Sequence, residues 1–396
     1  SLGVVTTGTQ NTAVGGNAAD ALTTGNYNTA IGYEALTNDT LGSRSTAVGR
    51  GTLVSQNFTS ATDAYNTAVG FNAGNSTTTG TFNTLIGALS GDAETTGQRN
   101  TGVGFGSLTN QVSGENNTGV GFYALQANVA GRRNTAVGAQ ALYNMTQSSA
   151  TNTYNTGVGY AAGYAITSGV QNTLIGADAG VNITTGSYND AFGMQSAVAL
   201  TTGSNNIAIG AYALDAATTT GQNTAVGSSA LTAFDHASNG FNTAVGYNSQ
   251  AANSSGRYNT SIGHESFRNL TSATQSTALG RAAGYSTTTG SYSTYVGDGA
   301  GLYTTTGEGN TALGQNAMRG DTGGITVGQT VAVGAQVFQP LTTGVANTGV
   351  GYQVGLSMTS GSQNTLLGYR AGDSITSGSY NTANGTNALG SVTTGT

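Results

Sequence analysis

The sequence predicts an all-β protein, a parallel β-solenoid (β-roll) of about 22 coils. A motif of the type Asn-Thr-Ala-Val-Gly recurs 22 times, and its closing glycine, from Gly15 to Gly385, repeats mostly every 17 residues. The chain also contains 64 Gly and only one Pro. Seventeen residues are too few for two helices and their turns, whereas Gly, Thr and Val favour turns and strands. We therefore expect one coil per repeat.

Four repeats are longer than 17 residues, and each falls five coils after the previous one. Corresponding glycines, such as Gly70 and Gly159, are therefore 87 to 89 residues apart. We interpret this as a five-coil super-repeat with an inserted loop in each period. The chain is predicted to be a single continuous solenoid domain, residues 1–396, taken from a longer fibre or filament. The insertions lie at Phe58–Ala64, Thr146–Thr153, Asp235–Gly240 and Thr322–Gln329.

Positions in each coil are numbered here from the closing glycine, the marker glycine, which is position 0. The residues Asn-Thr-Ala-Val before it are expected to form a strand, and a second short strand is expected to follow, as at 35–37. Position −1 is aliphatic or Phe in all coils but one, so strand alternation predicts that it points inside the coil. Val14, Ile31 and Val69 are examples. Position +4, often Leu, supplies a second interior residue.

Position −2 has the opposite parity and is small in most coils. On an outward strand face, a column of small residues would let another backbone approach closely. We therefore predict inter-chain contacts there. The candidates are Ala13, Ala30, Gly102, Gly119, Ala136 and Gly157.

Aromatic residues recur at position −5 in nine coils and at position +1 in eight. Aromatic faces stack on sugars, which makes the first set candidates for surface contacts; the alternative is that the rings fill gaps between chains or cover coil ends. The nine candidates are Tyr27, Tyr65, Phe82, Tyr154, Tyr188, Phe241, Tyr258, Tyr292 and Tyr380.

No pattern of catalytic, cofactor-binding or metal-ligating residues stands out. The absence of Lys excludes a Walker A loop, and His236 and His264 are the only histidines. The ten Arg form no basic stripe, so nucleic acid is not an expected partner. No apolar run is long enough to predict a membrane span. We expect neither an enzyme nor a cofactor.

The repeats resemble two kinds of known repeat. The Asn-Thr-Ala-Val-Gly strands are similar to the head repeats of trimeric autotransporter adhesins of the YadA type. Segments such as Thr23–Leu36 resemble the tandem repeats of long phage tail fibres. The resemblance implies a left-handed β-roll in a homotrimer. This chain departs from the adhesin pattern in its longer period and in carrying Thr where the adhesin strand has Val.

These observations predict a structural extracellular fibre or filament that mediates attachment to a host or surface, on a bacterial cell or a virion tail. The expected partners are other copies of the chain, in a homotrimer or an end-to-end filament, together with a host-surface glycan or protein receptor. The alternatives are a glycan-binding β-helix and an ice-binding solenoid. The ice-binding alternative requires two outward Thr per strand, whereas here each Thr is paired with an aliphatic residue.

Overall fold

A computed structural model describes residues 5–395, and over that range the protein is an all-β parallel solenoid of about 22 coils without helices. The chain divides into two compact units, Ser1–Thr202 and Gly203–Thr396. Each unit contributes eleven main strands within the described residues. The predicted fold class and period are therefore confirmed.

The main strands are three residues long and lie immediately before the marker glycines. In the first unit the strands are β1 (Thr12–Val14), β2 (Thr29–Ile31), β3 (Gly42–Ser43), β4 (Thr46–Val48), β5 (Thr62–Asp63), β6 (Thr67–Val69), β7 (Thr84–Ile86), β8 (Thr101–Val103), β9 (Thr118–Val120), β10 (Thr135–Val137), β11 (Thr156–Val158), β12 (Thr173–Ile175) and β13 (Asp190–Phe192). In the second unit they are β14 (Ile207–Ile209), β15 (Thr224–Val226), β16 (Thr243–Val245), β17 (Thr260–Ile262), β18 (Thr277–Leu279), β19 (Thr294–Val296), β20 (Thr311–Leu313), β21 (Val331–Val333), β22 (Thr348–Val350), β23 (Thr365–Leu367) and β24 (Thr382–Asn384).

Strands of successive coils pair in parallel, with equivalent residues opposite each other. Strand β7 pairs with β8 so that Leu85 lies opposite Gly102 and Ile86 opposite Val103. The first insertion adds a small second sheet, in which β3 pairs with β5. The main strands keep their register across this insertion, because β4 still pairs with β6 residue for residue.

The marker glycines are required by the close approach of consecutive coils. Their φ angles lie between 126° and 141°, a region that L side chains rarely adopt. A Cβ at Gly87 would lie 2.4 Å from the carbonyl oxygen of Gly104, the marker of the next coil. This explains why the marker is glycine in every coil.

The prediction of a second short strand is wrong. The segment after each marker is a turn in which positions +2 and +4 have positive φ, for example 59° at Glu34 and 56° at Leu36. A left-handed residue at every second position breaks the regular pleat of a strand. The coils still bond to each other here, since the Leu125 N–H donates to the Ala141 carbonyl at 3.0 Å.

The predicted assignment of the two strand faces is also wrong. Position −1 points outward: Val14 is 57% exposed, Ile31 is 39% exposed, and Val69 is half-buried. Position −2 points inward. Its side chain is small in most coils because the buried residues at positions +4 and +7, such as Leu36 and Leu22, already fill much of the interior. The proposed inter-chain residues Ala30, Gly102, Gly119, Ala136 and Gly157 are buried within their own chain, and Ala13 is half-buried. The five buried residues offer no surface to a second chain.

The interior is balanced in volume between positions −2 and +4. Leu85 is a large residue at position −2 and is fully buried. Position +4 is glycine in its own coil and in the preceding one, and a Cβ at Gly74 or Gly91 would lie within 2.9 Å of Leu85. The same pairing of one large residue with two glycines surrounds Leu174, Tyr295 and Leu366.

A buried asparagine ladder at position −4 joins the coils. Asn83 is fully buried; its Nδ2 donates to the Gly97 carbonyl at 2.9 Å, and its Oδ1 accepts from the Asn100 backbone N–H at 2.9 Å. One side chain thus satisfies two backbone groups of the next coil. Equivalent bonds recur at Asn28, Asn66, Asn100, Asn117, Asn155, Asn172 and Asn364.

Candidate functional site

The outward face of the strand region repeats from coil to coil, and we call it the strand face. It consists of the side chains at positions −5, −3, −1 and +1 of each coil. Thr at −3 and an aliphatic residue at −1 form its centre, with aromatic residues on both sides. Exposed members at −1 include Ile31, Ile86 and Val137. Since hydroxyl and aliphatic columns lie side by side, the face does not offer the paired Thr columns required by the ice-binding alternative.

The predicted aromatic column at position −5 lies on the surface. All nine aromatic residues are exposed, from 43% for Tyr154 to 71% for Tyr380, and all nine have positive φ. Where aromatic residues occupy consecutive coils they stack on each other: the Tyr65 and Phe82 rings are 5.5 Å apart with an interplanar angle of 12°. Arg44 continues this column, with its guanidinium 5.0 Å from the centre of the Tyr27 ring.

The column at position +1 has the same construction. Its eight aromatic residues are all exposed, and the rings of Phe105 and Phe122 lie 5.8 Å apart at 17°. Stacked rings of this kind cover each other's faces and present their edges to solvent. A sugar that needs a ring face therefore fits only where a ring lacks an aromatic neighbour. The eight are Tyr33, Phe71, Phe105, Phe122, Tyr160, Tyr247, Tyr352 and Tyr369.

The interior also carries a polar column at position +7, which sequence reasoning missed. It contains two carboxyl groups, Asp39 and Glu94, both fully buried. Burial raises the pKa of Glu94 to about 8. The hydrogen bond that Asn100 Nδ2 donates to Glu94 at 3.0 Å acts in the opposite direction and lowers the pKa. Burial also raises the pKa of Asp39. Glu94 is therefore mostly protonated and neutral at pH 7. Six consecutive coils contribute to the column: Asp39, Gln56, Thr77, Glu94, Gln111 and Asn128.

Two surface cavities break the regularity of the coils. One, of about 420 Å³, lies in the second unit beside the fourth insertion, where Arg319, Asp321 and Pro340 contribute to its wall. The other, of about 320 Å³, lies in the first unit just after the second insertion. It is lined by Gln140, Tyr160, Ala161, Tyr164, Asp178 and Val181. Sequence reasoning missed both; the available signal for the second was a small residue, Ala161, at a position where adjacent coils carry Gln and Asp.

The residues examined for catalysis do not converge. His264 packs against the Tyr247 ring at 5.4 Å and lies 3.7 Å from Glu265, while His236 accepts a hydrogen bond from the Ser238 backbone N–H at 3.0 Å. Within residues 5–395, no three His, Asp or Glu side chains are grouped as metal ligands would be. That same range contains no helix with the length and apolar character needed to cross a membrane.

Comparison with known protein families and with curated proteins finds no match to this chain.

Proposed function

We propose that the chain is a segment of an extracellular fibre or filament that mediates attachment to a host or surface, as in a phage tail fibre or a bacterial surface adhesin. The observation that carries this proposal is the strand face, which presents the same four outward positions in coil after coil. A surface of this kind suits a repetitive partner better than a small substrate.

The first partner that fits the strand face is another copy of the chain. Exposed aliphatic residues such as Ile31, Ile86 and Val137 form part of a larger apolar surface that also includes both aromatic columns. Large numbers of apolar side chains exposed on one face are typical of interaction sites. Because every coil has the same strand spacing, two such faces stay in register over many coils. We therefore propose self-association, as a homotrimer or a filament, through the strand face.

Sedimentation velocity of the purified chain tests self-association. We expect an oligomer for the wild type and a monomer for a triple variant with Ile31→Glu, Ile86→Glu and Val137→Glu, because buried unpaired charges disfavour association. All three positions are exposed, so the circular dichroism of the variant should be unchanged. The matched control places three glutamates in return turns, at Thr79, Thr96 and Thr185, and should remain oligomeric. A wild-type chain that sediments as a compact monomer would overturn the proposal.

The attachment role is tested separately, through the four insertions. We propose that the exposed parts of these loops, such as residues 59–61 and 148–152, take part in lateral or receptor contacts. Shortening all four to the 17-residue period should leave the circular dichroism intact and reduce binding of the labelled chain to cells of a susceptible host panel. Equal binding by the shortened chain would remove the insertions from the attachment mechanism.

A further inference from the structure

The cavity of about 320 Å³ in the first unit is formed by an interruption at position +2. Ala161 is the small residue at this position and is 5% exposed. Gln140 and Asp178 hold the same position in the two adjacent coils, so they form opposite walls. Backbone bonds fix the spacing of these walls: the Ala161 N–H donates to Ala139 at 3.0 Å, and the Asp178 N–H donates to Tyr160 at 2.9 Å.

Two tyrosines complete the sides of this cavity, and they differ in how they are held. Tyr164 stacks on Tyr143 with ring centres 5.0 Å apart and an interplanar angle of 8°, which fixes its orientation. Tyr160 is 57% exposed, and among the described residues no aromatic ring packs on it. No guanidinium group packs on the Tyr160 ring in that range either, so its face is free to receive a ligand.

We propose that this cavity binds a neutral saccharide, one or two sugar rings in size. A pyranose has an apolar C–H face that packs on an aromatic ring, and hydroxyl groups that hydrogen-bond to carboxylate and amide groups. The cavity offers these partners together in Tyr160, Asp178 and Gln140. Its volume is at the small end of the range of roughly 300–1,000 Å³ for ligand pockets, which excludes a long chain from full enclosure.

The charge of the cavity selects against anionic ligands. Asp178 is the only charged residue among the six that line it, so a phosphate or an acidic sugar would meet a carboxylate without a balancing cation. A neutral sugar hydroxyl instead donates to that carboxylate, and such charge-assisted hydrogen bonds are stronger than neutral ones. The inference rests on the proposed attachment role for its biological purpose, whereas binding itself is a property of the purified chain.

Saturation-transfer difference NMR on the full chain tests the proposal, with methyl glycosides of glucose, galactose, mannose and N-acetylglucosamine as probes. N-Acetylneuraminic acid serves as the anionic probe. We expect transfer from tyrosine ring protons to at least one neutral glycoside and none to the acidic sugar. Asp178→Asn should weaken binding about tenfold or more, since it removes the charge-assisted bond.

Ala161→Gln is the variant that tests the location, because glutamine fills the cavity. Glutamine is compatible with the backbone there, since Gln140 at the same position has φ 58° and Ala161 has φ 51°. The matched control is Ala282→Gln, at position +2 of another coil with φ 54°. We expect Ala161→Gln to lose glycoside binding. We expect Ala282→Gln to bind the glycoside as the wild type does.

Unchanged binding in both Ala161→Gln and Asp178→Asn would overturn the assignment, as would preferential binding of the acidic sugar or no binding of any neutral glycoside. If the wild-type chain binds no neutral glycoside but still forms oligomers and attaches to cells, the cavity proposal is refuted and the fibre proposal stands.

Discussion

The volume balance around Leu85 gives the sharpest test of the coil interior. Replacing this leucine by alanine removes a fully buried side chain whose neighbours at position +4, Gly74 and Gly91, have no side chains that could move into the space. Leucine-to-alanine changes in protein cores cost roughly 2–5 kcal/mol, more where the site cannot collapse. We therefore expect Leu85→Ala to cost about 4 kcal/mol, in the upper part of that range.

A second substitution should restore part of the loss. Eight coils carry leucine at position +4, and in each of them position −2 is Ala or Gly, as in Ala136 and Leu142. Combining Leu85→Ala with Gly91→Leu recreates that arrangement. The backbone permits it, because φ is 56° at Gly91 and 50° at Leu142. In contrast, Gly91→Leu alone should be strongly destabilising, because its Cβ would lie 2.8 Å from a Leu85 methyl carbon.

Urea unfolding followed by circular dichroism measures the global effect in this double-mutant cycle. Because repeat proteins unfold partly coil by coil, hydrogen exchange of the amides in residues 67–104 should accompany it. The two substitutions should show a favourable coupling of about 2 kcal/mol or more, at the upper end of what residues in contact usually give. If Leu85→Ala costs less than about 1 kcal/mol, or if the effects simply add, the inward direction of position −2 is refuted.

Three further predictions address the marker glycines, the asparagine ladder and the buried acid. Gly87→Ala should prevent pairing with the next coil and lower the urea midpoint. The control Gly323→Ala should leave the midpoint unchanged, because nothing lies within 4 Å of its added Cβ. Equal shifts of the midpoint in the two variants would contradict the close-approach argument. Asn83→Ala should lower the free energy of urea unfolding by roughly 2–4 kcal/mol, because two buried backbone groups lose their partners. Asn83→Ser should lower it by less. A decrease below about 1 kcal/mol for Asn83→Ala would show that the ladder contributes little. The pKa of Glu94 is raised on folding, so stability should be highest below the pKa of the unfolded state and fall as pH rises towards about 8. Glu94→Gln should reduce that slope in unfolding measured between pH 5 and pH 9, and an unchanged slope would remove Glu94 as its source.

The spacing of the marker glycines was sufficient to predict the coils and their number. It was not sufficient to orient the strands, because hydropathy placed Val14 inside and Ala30 outside. In a coil this narrow, volume rather than hydropathy decides which side chain fits. The evidence was present in the sequence, since the large residues Leu85 and Leu174 at position −2 coincide with glycines at position +4.

Other features could not be predicted from residue type. Leu36 and Leu125 have high preferences for regular structure, yet the structure places both at positive φ, where tertiary packing overrides local preference. The nine aromatic residues at position −5 are exposed, whereas the stacking of rings in consecutive coils was not predicted. The cavity beside Tyr160 depends on Ala161 being small in one coil while its neighbours are large, a contrast that has meaning only once the coils are aligned.

The separation of inward and outward positions also bears on how such a chain can change over time. Duplicating or deleting a whole coil keeps the interior contacts only where the new neighbours still match a large residue at position −2 with glycines at position +4, as around Leu85. The outward positions of each coil have no part in that fit, so they can be altered one coil at a time. A substitution confined to the outward positions of one coil therefore leaves the buried fit to both neighbouring coils in place.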